Sequence, residues 1–92
     1  PYSGQPDEIV IDALKKGDNT GKATRLLAGD IADYKSSSEA DYALIRLFES
    51  LVGCNAEQIE SLMWKSGVGR DKWKTPRGND TWLIYSIRKL LR

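Results

Sequence analysis

The residues best equipped for chemistry lie together toward the C-terminal end of the chain. Between Gly67 and Gly78 there are four cations, Arg70, Lys72, Lys74 and Arg77, and one indole, Trp73, in a stretch punctuated by glycine and proline. Guanidinium and ammonium groups neutralise phosphates, and an indole offers a flat face to a nucleobase. Glycines let backbone N–H groups come close to an anion. The cations therefore point to a phosphate-bearing partner. Two roles are open to Trp73: stacking on a base, or plugging the core beneath the loop.

Other chemistries find less support. The run from Gly17 to Lys22 imitates a phosphate-binding loop, but it has three residues between its glycines where that motif needs four, and Ala23 follows the lysine where a hydroxyl is required. It reads as a turn between helices, with Lys22 and Arg25 beside it still able to reach an anion. Asp30 and Asp33 are too few for an octahedral magnesium site and suit a cap or turn. With no histidine and one cysteine, Cys54, the chain has no Ser-His-Asp or Cys-His arrangement, no internal disulfide and no zinc ligand set. No residue is assigned a catalytic or metal-binding role, and no enzymatic activity is expected of this domain alone.

The formal net charge of +1 conceals a division. Before Lys65, six Lys and Arg face eleven Asp and Glu, a net of −5; from Lys65 onward, eight face two, a net of +6. Such asymmetry points to an anionic partner for the basic part. No apolar run approaches the ~20 residues of a membrane span, so no membrane partner is expected, and the single cysteine fits a cytoplasmic setting. The chain opens on Pro1 and not on Met, which reads as a fragment of something larger.

Residues 1–92 are expected to form one all-α domain, a compact bundle of about five helices. The first runs from about Pro6 to Lys16 with Ile9, Val10, Ala13 and Leu14 as its stripe. The second starts at Thr20 as N-cap and stops at Gly29. Ser38 is expected to cap the longest helix, which ends near Val52; Leu44, Ile45, Leu47, Phe48 and Leu51 cover more than one face and make it central. Asn55 caps a fourth helix, with Gln58 at the reciprocal position. A polar loop follows from Gly67, and Asn79 or Asp80 begins the last helix, with Leu83, Ile84, Ile87, Leu90 and Leu91 inward. Trp64 and Trp82 sit at helix edges.

With these elements in place, Ser38-Glu39-Ala40-Asp41, Gln58-Ile59, Leu62-Met63, Ser66-Gly67, Arg70-Asp71-Lys72-Trp73, Arg77-Gly78 and Thr81 occur in a familiar order and spacing. Leu26 to Asp30, Tyr34, Ile87 and Lys89 extend the pattern. The chain resembles the helix-bundle domain that follows the catalytic domain in phage- and plasmid-encoded primase-polymerases. It departs at Ile31 and Leu47, where members often carry an aromatic. The resemblance implies a module that grips single-stranded DNA template and an initiating nucleoside triphosphate, ATP, with or without Mg2+. The rest of the primase-polymerase chain would supply catalysis. On that reading Arg70, Lys72 and Arg77 contact phosphates, with Lys74, Lys22 and Arg25 as further cations. Two other readings are an adaptor that docks a helicase or polymerase domain through the acidic half, and a duplex-binding helix-turn-helix. The second is disfavoured by Glu57 and Glu60 on the exposed side of the fourth helix.

Overall fold

The structure, a computed structural model, describes residues 4–67 and 71–91. The all-α expectation holds. Among the described residues there are five helices: α1 (Asp7–Lys16), α2 (Lys22–Leu27), α3 (Ser37–Val52), α4 (Ala56–Lys65) and α5 (Trp82–Leu90). Between α4 and α5 lie a 3-10 turn (Asp71–Lys74) and a minute antiparallel hairpin, β1 (Pro76–Arg77) with β2 (Asp80–Thr81). Two-residue strands are too short for alternation to show in a sequence, so the hairpin replaces part of the expected loop. None of the helices is long and apolar enough to cross a membrane.

The core follows from helical periodicity. On α3, Asp41, Leu44, Ile45, Phe48 and Val52 are buried, a spacing of three and four that forms one broad stripe. Each of the other helices packs on α3. Val10 and Leu14 come from α1, Leu26 from α2, Ile59, Leu62 and Met63 from α4, and Leu83 and Ile87 from α5. Each such side chain stabilises the fold by about 1.5–3 kcal/mol on burial. Trp73 completes this core from the 3-10 turn.

Helix ends differ from expectation in three places, each time because a neighbouring residue caps better. Ser36, not Ser38, caps α3: its hydroxyl accepts from the Glu39 N–H at 3.2 Å. This puts a full-length acid at the third helical position and frees Asp41 for the core. The α2 helix begins after Gly21, with the Asp18 carboxylate accepting from the Thr24 N–H at 2.9 Å while Thr20 accepts from the Lys22 N–H. Thr81, not Asn79 or Asp80, caps α5 by accepting from the Ile84 N–H at 3.3 Å. Asn55 caps α4 as expected, but the Gln58 amide reaches Gln5 O and Asp7 across the bundle instead of returning to Asn55.

Two contacts between distant segments set the approach to the basic loop. The Gly67 N–H donates to Leu27 O at 2.7 Å, and a Cβ at Gly67 would lie 2.6 Å from the Ala28 carbonyl carbon. Gly29 opposes it with φ 92°, and a Cβ there would lie 2.7 Å from Gly67 O. Backbone thus meets backbone with no room for a methyl group. Between α1 and α4, Asp7 receives hydrogen bonds from Ser61 and Gln58 and pairs with Lys65 at 3.0 Å. Burial alone would raise the Asp7 carboxyl, but these donors outweigh it and hold it below the ordinary aspartate range.

These contacts make three measurable demands on stability. Gly67→Ala should destabilise by about 1–3 kcal/mol, because neither backbone can swing aside, and thermal melting measures this against the tolerant control Lys89→Ala. In the core, Trp73 donates its indole N–H to the buried Asp41 at 3.1 Å, so Trp73→Phe should cost at least about 2 kcal/mol, the sum of that hydrogen bond and lost volume, as read by urea denaturation. The Asp7 contribution is complete above its unfolded value near 3.8 and is lost as pH falls below that, through the lower native value. Asp7→Asn should therefore lower stability at neutral pH and flatten its acid dependence, as read by denaturation at a series of pH values.

Candidate functional site

The 3-10 turn distributes the basic segment. With three residues per turn, consecutive side chains diverge by about 120°, so Trp73 enters the core while the flanking lysines splay to either side. Trp73 is 0% exposed and its indole N–H donates to Asp41, also 0% exposed, at 3.1 Å. Of the two roles open to Trp73, packing is the one the structure gives it; no face is left for a base. Lys72 turns toward the start of α3, donating to the Ser38 hydroxyl at 2.6 Å with its ammonium 4.4 Å from the centre of the Trp82 ring. Lys74 turns the other way, over Trp64 at 5.9 Å. Arg77, carried on β1, lies over Tyr85 at 4.7 Å. Arg70 lies outside the described residues.

The basic segment is therefore not one patch. Among the described residues Lys72, Lys74 and Arg77 sit on separate rings, and of the three only Arg77 lines a concavity. There a cleft of about 430 Å³ opens between α3 and α5. Tyr42, Trp82 and Tyr85 supply its rings, and Arg46, Arg77 and Lys89 its charges. No carboxylate lines it among the described residues. Arg46 is partly spent on Glu49 at 2.9 Å, whereas Arg77 and Lys89 have no ion-pair partner among the described residues. Tyr42 and Trp82 are stacked, with centroids 6.2 Å apart and planes within 22°. Rings beside unneutralised cations can accommodate a planar, anionic molecule.

Lys22 and Arg25 lie elsewhere. A second cleft, of about 350 Å³, is bounded by Lys22, Tyr34, Asp18 and Leu47. The Lys22 ammonium is 5.3 Å from the centre of the Tyr34 ring. Arg25 pairs with Asp33 at 2.9 Å, and Asp30 accepts from the Ala32 N–H, so both acids act in turns and pairing. The carboxylate of Asp18 occupies the α2 N-terminus; the backbone N–H of Thr24 is the main cause holding it below the usual aspartate range. A phosphate drawn to that end of the helix would meet this charge.

Sequence reasoning missed Tyr42, Arg46, Trp82, Tyr85 and Lys89 as a group. The signal was present: Tyr42 and Arg46 are four apart, and Trp82, Tyr85 and Lys89 follow at three and four, each set lying on one helix face. What could not be read was that those two faces meet.

Comparison with curated proteins and with solved structures finds no significant match. A family model does match residues 37–92, described as the NrS-1 polymerase HBD domain. The match begins after Leu26 to Tyr34, which the resemblance included, but it spans α3, the basic segment, the hairpin and α5, and so contains every residue of the α3–α5 cleft. It covers more than half of the chain. The chain thus belongs to the NrS-1 polymerase HBD domain family, the helical-bundle domains of primase-polymerases.

Proposed function

We propose that this domain binds single-stranded DNA template and the initiating nucleotide, ATP, on behalf of the primase-polymerase chain that carries it. The observation that supports this reading best is the α3–α5 cleft, where three rings and three cations converge without a lining carboxylate. Starting a primer requires gathering a template and small mobile nucleotides, an entropic cost that a preorganised site reduces. Arg77 and Lys89 are the leading phosphate contacts, with Arg46 beside them. Lys72 lies on the flank of the cleft through its contact with Trp82. Lys74, Lys22 and Arg25 are left as peripheral cations that a longer strand would reach, and Trp73 supports the loop from beneath. Chemistry on the nucleotide is assigned to the rest of the chain.

Titration of a short labelled single-stranded oligonucleotide and of ATP tests this reading. Affinity for the oligonucleotide should fall steeply between about 50 mM and about 200 mM salt, as counterion release requires. Reversing both charges, Arg77→Glu with Lys89→Glu, should weaken binding at least tenfold, roughly 1.4 kcal/mol. It should also lower the slope of log affinity against log salt by about 0.7 for each phosphate that is no longer neutralised. Absence of binding to either ligand by the unsubstituted protein overturns the proposal, and unchanged affinity in the double variant moves the site away from this cleft.

A further inference from the structure

The α3–α5 cleft is graded from rim to floor. Arg46, Arg77 and Lys89 are exposed at its mouth, and Tyr42 and Tyr85 are 39% and 37% exposed on its walls. At the bottom lie Ser86, only 5% exposed, and the half-buried Leu90. Other serines of the bundle have protein partners: Ser50 donates to Leu47 O at 2.6 Å, Ser66 to Met63 O at 2.6 Å, and Ser61 to the Asp7 carboxylate. The Ser86 hydroxyl makes no such bond and has no protein partner among the described residues. Its oxygen is not among the fully enclosed side-chain atoms that lack a partner, so it keeps access to the cleft. A hydroxyl that lines a cleft and lacks a protein partner is available to a ligand.

Given that the cleft binds nucleotides, the reading on which this inference rests, we infer that a nucleotide enters it base first. The polar edge of the base meets the Ser86 hydroxyl and its phosphates stay at the rim with Arg46, Arg77 and Lys89. The reverse orientation would press phosphate against the apolar Leu90 and the ring faces, where desolvation of the anion is less well compensated than at the exposed cations. Trp82 already carries Tyr42 stacked on it and the Lys72 ammonium at 4.4 Å. Tyr42 and Tyr85 each carry one such partner, Trp82 and Arg77, and both are exposed, so the remaining ring surface is theirs. A hydroxyl both donates and accepts, so Ser86 can meet the edge of any base and contributes depth and orientation more than base identity. The shared chemistry is a base joined to a phosphate, which either free ATP or one unit of a single strand supplies.

Calorimetric titration of the whole chain with ATP, adenosine, tripolyphosphate and a short oligodeoxyadenylate separates the alternatives, using Ser86→Ala and Ser86→Leu. Ser86→Ala should weaken ATP about two- to tenfold, the range of one neutral hydrogen bond, and leave tripolyphosphate unchanged. Ser86→Leu should block the floor, abolishing adenosine binding and reducing ATP to the affinity of tripolyphosphate. Parallel losses for ATP and oligonucleotide, with mutual competition, mean that the cleft accepts either source, and a loss for one alone names it; both outcomes support base-first entry. Unsubstituted protein that binds neither ATP nor oligonucleotide removes the proposed function and this inference together. ATP binding that is sensitive to Arg77→Glu but indifferent to both Ser86 substitutions, or equal losses for ATP and tripolyphosphate, overturns the inference alone. Melting curves show whether each variant folds; if Ser86→Leu does not, the Ser86→Ala comparison decides.

Discussion

The indole of Trp73 enters the core from a 3-10 turn and gives its one hydrogen bond to Asp41, a side chain equally hidden from solvent. A polar group at that depth is tolerable only when partnered, so the bond ties the segment between α4 and α5 to the first half of α3. Around this anchor the flanking residues have little freedom. Lys72 is directed to Ser38 and Trp82, and Lys74 to Trp64, which itself meets Trp73 edge-on at 5.0 Å. The hairpin then starts from a defined position, with the Trp82 N–H donating to Thr75 O at 2.7 Å. Arg77 is thereby delivered over Tyr85. The cleft is a consequence of core packing several residues away.

Charge is managed differently in the two halves of the molecule. The acidic half is extensively paired with its own cations or with Lys65: Asp12 with Lys16, Asp33 with Arg25, Glu49 with Arg46, and Asp7 and Glu8 with Lys65. Exposed pairs of this kind stabilise little, with a median of about 0–1 kcal/mol, but they remove charge from the long-range field. In the basic half Arg88 meets Asp80, whereas Arg77 is left over the Tyr85 ring and Lys89 lines the same cleft. A surplus cation on a ring is held in place without being neutralised. It keeps its attraction for an anion and loses little conformational freedom when one arrives.

Much of the fold was legible because it rests on local periodicity. The stripes of α3, α4 and α5, the Val10–Leu14 part of the α1 stripe, the central place of α3 and the Asn55 cap are short-range patterns of apolar spacing and side-chain reach, whereas Ile9, expected on the α1 stripe, is 47% exposed. Run-on polar sequence was less readable. Three consecutive serines and a glutamate left the α3 cap ambiguous by two residues, and Asp18 competed successfully with Thr20 because a carboxylate can reach several N–H groups at once. The roles of Gly29 and Gly67 were only half visible. Each does lie just past a helix end, but the close backbone approach that requires both glycines joins segments nearly forty residues apart.

For the site, the sequence by itself determined which charges and rings exist, that they crowd into the last third of the chain, and the helix faces on which they lie. Those properties depend on composition and on a helical repeat of 3.6 residues. Only the tertiary structure decided that Trp73 turns inward, that Lys72, Lys74 and Arg77 part company, and that the Tyr42–Arg46 face of α3 closes against the Trp82–Tyr85–Lys89 face of α5. The physical reason is that core burial is settled by competition among all helices at once. Which aromatic wins a place inside, and which two faces are left to form a cleft, depends on contacts between residues far apart in the chain.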